Sequence, residues 1–163
     1  KFVSLCQQET QEIVELMSTW GSVYGTSTAC GTAVLCINAW RLTQNQELLN
    51  WARAVGQAYL DEPLPLAKIK AEEFKIPAVD PGLVLGLFSD LYDITGESDW
   101  LEAGLDLAED VCDVYFQNQL PLGASSTGWY ESQLGPAFLI HGLTRLALLA
   151  QDNCTLAPNY TAR

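Results

Sequence analysis

The sequence predicts an all-α fold, an array of helical hairpins with an inner and an outer layer, and three observations predict it. Apolar segments at residues 32–43, 82–95 and 135–150 each follow a turn-rich loop, at 21–27, 62–79 and 117–127. The links that leave the first two segments, 44–46 and 96–99, are short. Ala39-Trp40-Arg41-Leu42-Thr43 followed by Leu48-Leu49 recurs 52 residues on as Leu91-Tyr92-Asp93-Ile94-Thr95 followed by Trp100-Leu101. Such periods belong to stacked helix pairs, and connectors gathered at one end are where these arrays carry their variable backbone.

Each helix has its own pattern. The first is expected over about 10–20, with Ile13, Leu16, Met17 and Trp20 on one face. The second is expected over about 30–43. The third, about 47–60, places Leu48, Leu49, Ala52, Val55, Gly56 and Tyr59 together. The fourth opens at Asp80-Pro81, with Asp as cap and Pro in the first position. The fifth, about 99–116, carries Leu101, Leu105, Ala108, Val111, Cys112 and Tyr115 opposite Asp99, Glu102, Asp106, Glu109, Asp110 and Asp113. The sixth opens near Glu131-Ser132 and runs to about Gln151. A short solvated helix or flap is expected within 63–75. The even-numbered helices are apolar nearly all round and read as the inner layer, whose Gly82, Gly86, Gly135 and Gly142 allow close approach. Asn38, Asp90 and Arg145 fall at equivalent inner positions, and an Asp90–Arg145 bridge would satisfy two of them.

Composition bounds the function. A chain of 163 residues reads as one domain spanning 1–163, with a core supported by a 48% hydrophobic content. The net charge of −12 argues against a nucleic-acid or anionic-membrane partner, and the acids read as a solvated face. No stretch approaches the roughly 20 apolar residues of a membrane span. No calcium loop, phosphate loop, dinucleotide fingerprint or nucleophile elbow occurs, and the single histidine, His141, forbids a histidine-rich centre, so neither metal nor cofactor is expected. The chain starts at Lys1 with no signal peptide, as a mature product, a trimmed chain or part of a longer one. The five cysteines are Cys6, Cys30, Cys36, Cys112 and Cys154, with no C-x-x-C pair. Asn153 and Asn159 each head a tripeptide that accepts N-glycans. Together these features point to a secreted or periplasmic location. In the plainer reading Cys36 and Cys112 are small buried hydrophobes and nothing is bridged.

Two stretches carry a resemblance. Leu91-Tyr92-Asp93-Ile94-Thr95-Gly96-Glu97-Ser98-Asp99-Trp100-Leu101 and Trp129-Tyr130-Glu131-Ser132-Gln133-Leu134-Gly135-Pro136-Ala137-Phe138, with the hairpin period, resemble the (α/α) toroid enzymes acting on sugars. That group includes the six-hairpin glycosidases, the unsaturated glucuronyl hydrolases and the N-acylglucosamine 2-epimerases. The resemblance covers about residues 29–151 and implies a partial (α/α) toroid, because a closed ring takes about six hairpins and this chain has half of that. It also implies glycoside hydrolase-like or sugar epimerase-like activity.

The site expected on these grounds lies where the inner helices begin. Asp80 and Glu131 would face a cleft at the long-loop end as general acid and base, or merely cap their helices and complement the dipole. Trp20, Tyr24, Trp129 and Tyr130 would offer their faces to sugar rings, or plug the top of the core. A half ring leaves an apolar flank open, so the competing expectation is a non-catalytic extracellular helical-repeat protein. That protein would bind a partner, associate with itself or continue into a further part of the same chain.

Overall fold

A computed structural model describes residues 2–21 and 28–151. The fold is mostly helical. Strands β1 (Phe2–Cys6) and β2 (Ile13–Met17) form an antiparallel hairpin. The helices are α1 (Thr28–Thr43), α2 (Gln46–Asp61), α3 (Leu66–Lys70), α4 (Val79–Thr95), α5 (Ser98–Tyr115) and α6 (Pro136–Ala150), with a 3₁₀ turn at Ser132–Leu134.

The hairpin corrects the all-α expectation and replaces the helix expected over 10–20. The i, i+3, i+4, i+7 pattern of Ile13, Leu16, Met17 and Trp20 is helical in period, but a complementary apolar strand lies at Phe2–Cys6 and the intervening chain turns tightly. Gln11 adopts φ 58° and its N–H donates to Gln7 O at 2.9 Å, while Gln7 N–H donates to Glu12 O at 2.8 Å. Partner and turn together override local period. Ile13 and Leu16 are consequently exposed rather than buried.

α4 is the centre of the molecule. It packs against α1, α2, α5 and α6, and every residue from Val79 to Leu91 is buried. α2 and α5 bury one side each, as their amphipathic patterns require. The buried face of α5 is Trp100, Gly104, Leu107, Val111, Val114 and Tyr115, which corrects the expected stripe. Leu105 and Cys112 are exposed. Trp100 docks on Phe88 with ring centroids 5.9 Å apart, and Gly104 admits Leu146, so the bulky indole and the missing side chain set the rotation of α5.

Glycines set the closest approach. A Cβ on Gly82 would stand 2.5 Å from Leu139 N and Phe138 C, and one on Gly142 would stand 2.7 Å from Gly82 O. α4 and α6 therefore meet backbone to backbone. Gly135, at φ 74°, separates the 3₁₀ turn from α6, so the sixth helix starts five residues after Glu131 rather than beside it.

Opposite the loops, the two short links repeat in atomic detail. Thr43 Oγ1–H donates to Ala39 O at 2.7 Å and Thr95 Oγ1–H to Leu91 O at 2.8 Å. The same hydroxyls accept from Asn45 N–H and Glu97 N–H. Between them Gln44 and Gly96 are left-handed, at φ 58° and 69°. Next to these links Arg145 donates to Asp90 Oδ1 at 2.8 Å, the bridge expected from sequence, and the cluster also includes Arg41 and Asp93. It ties α1, α4 and α6 together. Burial pushes the Asp90 carboxyl up against the pull of Arg145 and Arg41.

Candidate functional site at the loop end

The long connectors converge at one end. Ala78 N–H donates to Gly123 O at 2.9 Å, Ser125 N–H to Ile76 O at 2.9 Å, and Ile76 N–H to Ser125 Oγ at 2.9 Å. Ser126 Oγ–H reaches Ile69 O at 3.2 Å, and Tyr115 O–H donates to Ile76 O at 2.8 Å. The connector between α3 and α4 is thereby sewn to the one between α5 and α6. The segment before α1 joins them: Trp20 Nε1–H donates to Glu62 O at 2.7 Å, Thr19 bonds the Glu62 carboxylate, and Gly21 N–H donates to Asp80 Oδ2 at 3.0 Å.

Asp80 and Glu131 lie at this same end, as expected. Asp80 stands in the first turn of α4, while Ala78 holds the cap position. Its side chain is 2% exposed and reaches back to the Gly21 backbone. It also lies close enough to Cys30 and Tyr115 to push both groups' pKa upward, in each case second to burial. Glu131 is half-buried at the start of the 3₁₀ turn, against Gly123, where an added Cβ would stand 2.6 Å from Glu131 Cβ.

The aromatics divide. Trp20 is 4% exposed and stacks edge-on with Tyr59 at 4.9 Å, so it plugs the core. Trp129 and Tyr130 are 64% and 49% exposed. Tyr24 lies outside the described residues, as do Asn153, Asn159 and Cys154.

Two cavities share this end. A cleft of about 530 Å³ is lined by Lys70 of α3, Asp110 and Asp113 of α5, and Ser126 and Thr127. An open depression of about 690 Å³ is lined by Asn118, Gln119, Leu120, Trp129 and Tyr130. Leu122 and Gly128 line both, so the two form one groove. Burial and the neighbouring Glu109, Asp106 and Asp113 push the Asp110 carboxyl up, with Lys70 opposing. Neither Asp80 nor Glu131 lines the groove. Chemically it offers two aromatic faces, amide donors and acceptors, hydroxyls and three carboxylates, those of Glu72, Asp110 and Asp113, beside one ammonium.

Sequence reasoning placed Trp129 and Tyr130 but missed Asn118, Gln119, Lys70, Asp110 and Asp113. The signal for the polar members was the density of amides in Gln117-Asn118-Gln119, directly after the last turn of α5. Among the described residues Cys6, Cys30, Cys36 and Cys112 are free thiols; Cys30 is the buried one, Cys36 is half-buried and Cys112 is exposed. No helix among the described residues is long and apolar enough to cross a membrane. No family model matches the chain, and neither does any curated protein or solved structure.

Proposed function

We propose that this chain binds a glycan in the loop-end groove. The observation that carries the reading is the pair of exposed rings, Trp129 and Tyr130, set beside the amides of Asn118 and Gln119 in one depression. Ring faces pack on the apolar faces of sugars while amides bond their hydroxyls, and concave sites with a few placed polar groups are the usual form of such pockets. The layering of α1, α4 and α6 against α2 and α5 supports an arc of the (α/α) toroid kind, with its long connectors gathered at one end. Binding has the stronger support. Turnover by Asp80 and Glu131 would require carboxylates that reach the substrate, and Asp80 is buried on the Gly21 amide. A secreted or periplasmic location accords with the two glycan-acceptor tripeptides.

The test is a glycan panel screened for both binding and turnover with the full chain. Trp129→Ala is expected to weaken binding about tenfold or more, the loss of one well-packed aromatic contact. Asp80→Asn and Glu131→Gln report on turnover. A panel without a binder, or a Trp129→Ala chain that binds as the parent does, overturns the reading.

A second reading, self-association, is favoured by a separate observation. Leu35 and Leu42 of α1, Ile140 of α6, and Val14 and Leu16 of the hairpin are all about half exposed or more. It predicts a mass in solution above that of one chain, and a monomer at every concentration from about 1 to 100 μM would remove it.

A further inference from the structure

The two halves of the loop-end groove differ in hydrogen-bonding character. The open half carries the rings of Trp129 and Tyr130 and the amides of Asn118 and Gln119. The half beside α3 and α5 is dominated by acceptors. Its two hydroxyls have their protons committed to the chain: Ser126 Oγ–H donates to Ile69 O at 3.2 Å and Thr127 Oγ1–H to Ala124 O at 2.8 Å. Their oxygen lone pairs are what they offer a ligand. Glu72, Asp110 and Asp113 accept and, once ionised, have nothing to donate. Against these stand the ammonium of Lys70 and the amide of Gln117, which donates to Val114 O at 3.4 Å. Burial, and then Glu109, Asp106 and Asp113, push the Asp110 carboxyl up in spite of Lys70, so the field in this half is negative.

Acceptors call for donors, and a negative field repels anions. A sugar hydroxyl is an uncharged donor and suits both conditions. A uronate, sialate or sulfate group is an anionic acceptor, so it meets lone pairs on the floor and like charge on the wall. Layout adds length. The halves measure about 530 and 690 Å³, each within the roughly 300–1,000 Å³ that a small-molecule pocket occupies, and they adjoin at Leu122 and Gly128. A ligand that uses both the rings and the acceptors must cross that junction. We infer, on the basis of the glycan binding proposed above, that the groove takes a non-acidic oligosaccharide and discriminates against acidic glycans. One part of the chain rests on Trp129 and Tyr130, and the next donates its hydroxyls to Ser126, Thr127, Asp110 and Asp113.

The experiment titrates the full chain with oligosaccharides matched in length and differing in charge: chitin against hyaluronan tetramers, a lactosamine tetramer against its sialylated form, and methyl-esterified against free oligogalacturonate. The neutral member of whichever pair binds is expected to bind about tenfold tighter or more than its acidic partner at about 50 mM salt. That gap should shrink at about 500 mM, where the screening length falls to roughly 4 Å. Affinity for the neutral member should rise about fivefold or more from disaccharide to tetrasaccharide. Asp110→Asn with Asp113→Asn should close most of the charge gap, and these near-isosteric changes relieve like-charge repulsion on α5 and so keep the fold. The salt series reads the same field without any substitution. A panel without a binder removes the glycan reading and this specificity together. Acidic and neutral partners bound alike, a gap indifferent to both salt and the double Asn change, or a disaccharide bound as tightly as the tetramer overturns the specificity alone and leaves glycan binding standing.

Discussion

The two ends of the helical array are built on different terms. At the short-link end the chain solves one problem twice, with Thr43-Gln44-Asn45 and Thr95-Gly96-Glu97 in matching geometry, and locks three helices with a buried ionic cluster. At the loop end no two connectors are alike, and they hold one another by side-chain-to-backbone bonds. The regular end specifies how the helices stand. The irregular end has latitude to expose Trp129 and Tyr130, because nothing in the packing depends on them.

Arg145→Met breaks this comparison most severely. It leaves the fully buried Asp90 carboxylate with only the 3.3 Å pair to Arg41, and the expected loss is about 3 kcal/mol by chemical denaturation. Restoring balance with Asp90→Leu in the same chain should recover most of it, and failure to recover would mean that the cluster does more than neutralise charge. The repeated turns give the next effect. Gly96→Ala places a side chain at φ 69° and should cost about 1 kcal/mol, whereas Gln44→Gly relieves the same conformation at φ 58° and should be neutral or stabilising by a few tenths. Equal effects of the two changes would show that the links are not equivalent.

Smaller effects come from two carboxylates of opposite behaviour. Glu97 accepts both bonds of Arg53 at 2.8 Å, and that bond above all lowers its pKa. Its contribution is present above the ordinary Glu pKa and is lost as pH falls through the lowered folded value. Asp110 is shifted the other way, so its contribution is largest in acid and is lost as pH rises through its raised folded value. Asp110→Asn should therefore raise the melting temperature slightly at pH 7 and not at pH 3, while Glu97→Gln lowers it at pH 7 and not at pH 3. At the loop end Trp129→Ala should change stability by less than about 0.5 kcal/mol, whatever it does to binding.

How much of this was written in the sequence follows the same division. The 52-residue echo located both short links, and the equivalence of Asn38, Asp90 and Arg145 located the ion bridge. It also aligns Arg41 with Asp93, opposite charges at matched positions, which is the unread sign of the four-residue cluster. Helices buried on all sides, such as α4, announce themselves by composition. The hairpin did not, because five residues with a helical spacing become a strand only through a partner seven or more positions away. The rotation of α5 was hidden for a related reason: Leu105 and Leu107 are equally apolar, and only the docking of Trp100 on Phe88 decides which faces inward. For the groove, the exposed aromatics were legible, while the carboxylates of Asp110 and Asp113 looked like any others on an acidic face.

The glycine contacts at Gly82 and Gly142 carry a consequence for how the molecule yields. With main chain resting on main chain, α4 and α6 have no side-chain cushion to compress, so they shift as one plank or come apart altogether. Their amides should be among the slowest to trade deuterium, outlasting those of α2, and when they do open they should open together.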